Sequence, residues 1–337
     1  MISLLSGLLF GAAAVAAPTT FNKRAPSGVP QYVVDYAPLV WLDDRDVYRP
    51  SDIAAQVDHT TPKVDRNPIS GYPQPLTLSN LDALNSYGDG GENVYLTSND
   101  DVTTVPDWLT GAQPNAEGET EGAKTAVVIT VDHGGGKLDA FYMYFWAFNW
   151  GGTVLDINLG NHVGDWEHNM IRFQDGEPQA LWYSQHSRGQ AFEYQAVEKE
   201  GKRPYAYAAN GTHALYAMAG THDHTIPNLN LPAGFLEDHT QRGTLWDPAL
   251  SAYWYSFNPS DQTFTPYDGA PVAYLNYKGR WGDDRYPDSD SRQFNFFGFR
   301  RYEGGPTGPK FKTLDRELVC PDNDPPCIVL PIKVPRE

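Results

Sequence analysis

The chain is divided into short apolar runs by frequent breakers. Its 337 residues include 31 Gly and 27 Pro, a density that ends helices early and supplies many turns. The runs between them are rich in Val, Tyr, Phe and Trp, residues that fit a pleated, half-buried surface. Ala126-Val-Val-Ile-Thr-Val131 and Ala140-Phe-Tyr-Met-Tyr-Phe-Trp146 predict two buried strands, and Tyr36-Ala-Pro-Leu-Val-Trp41 an opening one. Residues 166–173 and 180–186 flank Asp175-Gly176, a hairpin turn signal. Further strands are expected at 192–197, 205–209 and 272–277. Residues 62–124, with many Pro, Asn and Gly and the acidic patch Glu117-Gly-Glu-Thr-Glu-Gly122, read as exposed loop. Sequential strands joined by tight turns favour antiparallel pairing. The expected fold is therefore mainly β: an antiparallel β-sandwich or jelly roll with long loops and few short helices.

Residues 4–17 form an apolar run closed by Ala-Val-Ala-Ala, which reads as a signal peptide over residues 1–17. The run falls short of the ~20 residues that span hydrocarbon, so no transmembrane anchor is expected. Lys23-Arg24 is a dibasic pair of the kind cut by kexin-type proteases of the fungal secretory route. Residues 18–24 then form a propeptide, and 25–337 a single β-rich domain. Removing 1–24 takes away Lys23 and Arg24 and no acid, moving the formal charge from −17 to −19. Such a chain repels phosphate backbones and anionic bilayers, so nucleic acid is not an expected partner. Cys320 and Cys327, separated by Pro-Asp-Asn-Asp-Pro-Pro, are expected to close a disulfide that staples the C-terminal tail in an oxidising compartment.

Chemistry concentrates in one stretch. Seven of the nine histidines lie between 162 and 239. His162, Asp165, Glu167 and His168 fall within seven positions, His186 closes a strand, and His213, His222, His224 and His239 follow with Asp223, Glu237 and Asp238. Because side chains alternate along a strand, Asp165 and Glu167 should share one face, and Trp166 and His168 the other. Two carboxylates on one face repel unless a cation, a proton or an arginine separates them. A divalent metal meets that requirement: oxygen ligands suit Ca²⁺ or Mg²⁺, and added imidazole shifts the preference toward Mn²⁺ or Zn²⁺. The expected metal set is Asp165, Glu167, His162 and His186. The plainer reading pairs Asp165 and Glu167 with Arg172 and Arg188, leaves His186 and His213 as buried imidazoles, puts Trp166 in the core, and leaves His222, His224 and His239 exposed in turns.

Val163-Gly-Asp-Trp-Glu-His168, Ser184-Gln-His-Ser-Arg-Gly189, Pro204-Tyr-Ala-Tyr-Ala-Ala-Asn-Gly-Thr-His-Ala214 and Arg242-Gly-Thr-Leu-Trp-Asp-Pro248, together with the opening Tyr36–Trp41 motif, resemble the successive motifs of the vacuolar protein sorting-associated protein 62 family. They cover most of the chain from Tyr36 to Tyr286 in family order, and the protein reads as a secreted, fungal-type member. A shorter stretch, His162-x-x-Asp-Trp-Glu167, is similar to the His-Asp-Trp-Glu core of the necrosis-inducing protein family. That likeness implies a secreted β-sandwich with an acidic metal pocket for lipid head groups. In that family the His directly precedes the Asp, whereas Val163 and Gly164 intervene here.

Two uses of the site follow. In a binding module, a divalent metal, Ca²⁺ or another hard cation held by Asp165 and Glu167 with a histidine, presents an open position to the hydroxyls of a glycan or lipid head group, with Trp166, His168, Arg188 and Asp238 lining the ligand. In a metal-dependent hydrolase, Glu167 or Asp165 is the general base on a metal-polarised water, while His186 or His213 acts as acid or electrostatic stabiliser. A third reading, a luminal accessory of vacuolar sorting, keeps the chain away from cytosolic coats. The expected location is outside the cell or in the vacuolar lumen. Nucleophile elbow, phosphate loop and dinucleotide fingerprint are all missing from the sequence, which removes the commonest serine hydrolase, nucleotide and redox readings.

Overall fold

The computed structural model describes residues 24–154, 157–225, 231–234, 236–321 and 326–333. The expected signal peptide, and the expected propeptide up to Lys23, lie outside the described residues. Two sheets face each other. The larger has eight strands in the order Thr263–Pro266, Ala252–Asn258, Ala126–Gly134, Lys137–Asn149, His162–Gln174, Glu177–Gln185, Arg188–Glu193, Val329–Leu330. The smaller runs Lys199–Glu200, Arg203–Ala208, Leu39–Leu42, Thr244–Trp246, with Leu215–Tyr216 paired to Arg203–Ala208. Between them lies a core that includes Val40, Leu42, Ala206 and Trp246 from the small sheet and Tyr142, Tyr144, Trp146 and Ile171 from the large one. The helices are only one or two turns long. Among the described residues no helix is long and apolar enough to cross a membrane.

The fold is the mainly-β sandwich expected, with one refinement. Three strand pairs are parallel: Leu39–Leu42 with Arg203–Ala208, Ala252–Asn258 with Ala126–Gly134, and Arg188–Glu193 with Val329–Leu330. A hairpin cannot make such a pair. Each joins segments more than a hundred residues apart, and long connections of that kind are what parallel pairing requires.

The 62–124 stretch is not simply exposed loop. Thr60–Val64, Asn67–Pro68 and Tyr95–Ser98 make a three-stranded sheet, and Leu78, Leu81, Leu84, Val94 and Leu96 are buried against the second face of the large sheet. The large sheet is thus covered on both sides. Its central strand is accordingly apolar at nearly every position rather than alternating. The expected strand at 272–277 is instead a short helix, Ala273–Asn276, that buries Tyr274 and Leu275 on that second face. The strand expected at 192–197 starts earlier, at Arg188–Glu193, and gives way to a 3₁₀ turn over Tyr194–Ala196. Cys320 and Cys327 are disulfide-bonded with Cα atoms 5.4 Å apart, just before Val329–Leu330 joins the sheet edge.

Candidate functional site

Sheet topology gathers the polar residues at one end of the sandwich. Asn149 pairs with His162, and Tyr183 with Asn169, so Lys137–Asn149 and Glu177–Gln185 finish where His162–Gln174 begins. Leu39–Leu42 and Arg203–Ala208 run parallel and end together. Gly164, at φ +68°, allows the close approach there: a Cβ on it would lie 1.9 Å from the carbonyl oxygen of Trp281.

The alternation expected along this strand holds. Asp165 and Glu167 pair with Trp146 and Tyr144, which belong to the inter-sheet core. Trp166 and His168 pair with Phe145 and Met143, which belong to the core on the second face. His213, in a left-handed conformation at φ +56°, lies flat on Trp146, with ring centroids 4.4 Å apart and 6° between planes. Its Nδ1 is 3.0 Å from Asp165 Oδ2, and its Nε2 is 3.3 Å from Asp46 Oδ2. The second contact is off-line for a hydrogen bond and acts through charge. Burial opposes protonation of this ring, but the Asp165 hydrogen bond and the two carboxylate charges raise it to about 9. His213 is therefore the cation that Asp165 requires.

Glu167 is relieved differently. The ladder between its strand and Glu177–Gln185 ends at the Asn169–Tyr183 pair. The Ser184 hydroxyl enters the opening, donates to Glu167, and accepts from the His168 N–H at 2.7 Å. Burial, reinforced by the Asp165 charge, pushes the Glu167 carboxyl up to about 7.

A second group lies beside the first. His186 and Ser187 form the two-residue turn between Glu177–Gln185 and Arg188–Glu193, with His186 left-handed at φ +56°. Its Nε2 is 2.8 Å from Asp238 Oδ2. Desolvation works against its charge, but Asp238 raises it to about 9, helped by the charges of Glu167 and Asp165. Asp238 is buried and held ionised: desolvation is outweighed by His186, and Tyr216 donates to Oδ2 at 2.6 Å and Thr212 to Oδ1 at 2.7 Å. His224 stands over His186 with ring centroids 4.3 Å apart, its Nε2 4.0 Å from Asp238 Oδ2. Burial and the His186 charge lower its pKa. One ligand atom from each of His186, His224 and Asp238 falls within 4.8 Å of the others. Two imidazoles and a carboxylate are donors that suit Zn²⁺ or Mn²⁺ better than Ca²⁺ or Mg²⁺. These three residues could hold such an ion.

The other candidates are placed as follows. His162 donates through Nδ1 to the Gly164 carbonyl at 2.7 Å, and burial lowers its pKa. Trp166 is a core ring between Phe145 and Trp281. His168 is buried on the far face, where Nε2 accepts from Arg316 at 2.7 Å, and burial and that guanidinium hold it neutral. Arg188 is exposed at the foot of the His186 turn. Arg172 pairs with Asp139, not with Asp165 or Glu167. His222 is buried, not exposed, stacked on Tyr216 at 3.8 Å, because Gly220–Asp223 and Glu237–Thr240 form a ribbon over the site. His239 is exposed as expected. Asp46, Ser184, Thr212 and Tyr216 were not singled out from sequence. Asp46 is separated from its partners in sequence and carries no spacing signal. Ser184 and Thr212 could have been found, since each lies in a recognised motif close to a candidate histidine.

A family model described as vacuolar protein sorting-associated protein 62 matches residues 90–287. The chain is 37% identical to vacuolar protein sorting-associated protein 62 of Saccharomyces cerevisiae, across 90% of this chain and 70% of that one. It is 39% identical to TDA6 of the same yeast, also described as vacuolar protein sorting-associated, across 89% and 70%. Among solved structures, Necrosis and Ethylene inducing Protein 2 from the agent of cocoa's Witches Broom disease aligns at 12% identity and a TM-score of 0.29, covering 58% of this chain and 71% of that one. NLPPya in complex with glucosamine aligns at 14% and 0.26, covering 71% and 78%. Superpositions at those scores carry no argument. The length and identity of the first two alignments do, and they establish that this chain belongs to the vacuolar protein sorting-associated protein 62 family.

Proposed function

We propose that the protein is a binding module of the secretory lumen, extracellular or vacuolar, that holds a divalent metal and engages hydroxyls of a glycan or lipid head group. The observation that carries this reading is the convergence of His186, His224 and Asp238 within 4.8 Å. Asp238 is buried and fixed by Thr212 and Tyr216, while both imidazoles remain partly accessible. A metal held this way keeps coordination positions open for a ligand. Of the ligand set expected from sequence, His186 is retained. Asp165 and Glu167 have their charges met by His213 and by a proton, so we place the ion beside them rather than on them. The disulfide and the names of the yeast relatives support the compartment.

Elemental analysis of the purified protein, with thermal unfolding before and after chelation, tests the reading. Stoichiometric Zn²⁺ or Mn²⁺ is expected, with a lower Tm after chelation that H224A shows without chelator. No metal and no chelator effect, even after Zn²⁺ and Mn²⁺ are added back, overturns it.

A hydrolase is favoured by a different observation: a buried carboxyl, Glu167, hydrogen-bonded to Ser184, sits beside Asp165 and near two histidines, His213 and His186, that carry charge. In that reading Glu167 exchanges a proton with substrate or water, and His186 or His213 stabilises developing negative charge. Turnover of a glycoside or ester panel that disappears in E167Q, with ligand binding kept, would select the enzyme.

A further inference from the structure

The stretch Phe294-Asn-Phe-Phe-Gly-Phe299 builds a small hairpin, Asn295–Phe296 against Phe299–Arg300. Phe297 is 90% exposed, Phe299 58% and Phe294 40%. None of the four phenylalanines joins a hydrophobic core among the described residues. The turn is made by Phe297 and Gly298, both left-handed, at φ +51° and +93°. A bulky residue in that conformation is strained, and Asn or Gly would fold there more readily. Two separate costs, strain and exposed apolar area, thus coincide on one ring at the apex, which marks it as serving something outside the fold.

The hairpin is mounted rigidly. The Gln293 side chain donates to the carbonyls of Tyr286 and Tyr302 and accepts from the Tyr302 N–H, all at 2.9–3.0 Å. Gly160 and Asn161 donate to the carbonyls of Arg300 and Arg301 at 2.8 Å. That loop leads directly into His162, so the hairpin stands at the same end of the sheet as the His/Asp/Glu cluster.

Its own residues are basic although its base is not. Residues 291–302 contain Arg292, Arg300 and Arg301 and no acid, whereas the preceding loop holds Asp283, Asp284, Asp288 and Asp290 with Arg285, and Glu303 follows. Arg292 and Arg300 are paired with Asp290 and Asp288 on the preceding loop. Among the described residues, Arg301 makes no salt bridge. Uncharged aromatic residues at the tip with arginines behind them match the layers of a bilayer interface, where rings enter the acyl boundary and guanidinium groups stay among phosphates. A second copy fits less well. The exposed fractions of these rings amount to about 400–500 Å² per copy, short of the ~800 Å² per partner of a stable interface.

We propose that the Phe294–Phe299 hairpin is a membrane-docking element that inserts into the interface of a lipid bilayer and holds the polar cluster at its surface. This does not rest on the metal reading, and either can fail without the other.

Co-sedimentation of the full-length mature protein with phosphatidylcholine vesicles, with and without phosphatidylserine, tests it. Wild type is expected to sediment with vesicles. F297S/F299S should bind about a hundredfold less, since each buried ring contributes about a factor of ten, with Tm unchanged because neither ring supports the core. In F297W, tryptophan emission should shift to the blue and be quenched by brominated lipid. The proposal is overturned if wild type stays in the supernatant with both vesicle types, or if F297S/F299S binds as wild type does. A concentration-dependent dimer lost in the double variant, without vesicle binding, also overturns it.

Discussion

His213 Nδ1 lies 3.0 Å from Asp165 Oδ2 and its Nε2 3.3 Å from Asp46 Oδ2, so one imidazole stands between two buried carboxyl groups at the end of the sheet. Removing it leaves both unbalanced. H213A is expected to destabilise the fold by about 3–5 kcal/mol, the usual result of stranding a buried charge. Adding D165N to H213A should recover part of the loss. Urea unfolding of the two single variants and the double variant measures the coupling, and strictly additive losses would contradict the pairing.

Rising pH should weaken the protein in two steps. Glu167 titrates near 7 in the folded state against 4.5 when unfolded, so the native state holds the extra proton between those values. Stability is fully present below 4.5 and falls as pH rises through 7, by about 3 kcal/mol if this group acted alone. His213, raised from 6.5 to about 9, has the same sign: its contribution is present below 6.5 and lost as pH climbs through 9. E167Q should abolish the first step and keep the second. Urea unfolding at intervals across that pH range checks both, and an unchanged profile in E167Q would refute the assignment.

Arg316 should be irreplaceable by lysine. Its guanidinium donates to the carbonyls of Lys312, Thr313 and Val319 and to His168 Nε2, a set that needs a branched planar donor. R316K is expected to cost about 2–4 kcal/mol by leaving buried acceptors unmet. It should also make the tail around 312–321 a site of limited proteolysis. A variant as protease-resistant as wild type would show that the tail is held by other contacts.

Much of this arrangement could be read from local chemistry. The aromatic run at 140–146 had to be a buried strand, and the period of two put Asp165 and Glu167 on one face before any partner was known. The same run could not reveal that both faces of its sheet are covered. The covering residues, Leu78 to Leu96, are spread through Pro- and Gly-rich sequence with no period. His222 was misplaced for a similar reason: its turn-like sequence is half of a ribbon whose partner, Glu237–Thr240, lies beyond an intervening segment.

The sequence by itself determined the fold class, the strand on which the acidic pair sits, the face it uses, and the Cys320–Cys327 link, because these depend on neighbours close along the chain. Only the tertiary structure decided which charges meet. Parallel pairing of Leu39–Leu42 with Arg203–Ala208 carries Asp46 and His213 to Asp165, and the folded ribbon carries Asp238 to His186. Contacts across such distances along the chain follow strand order, which no local period encodes.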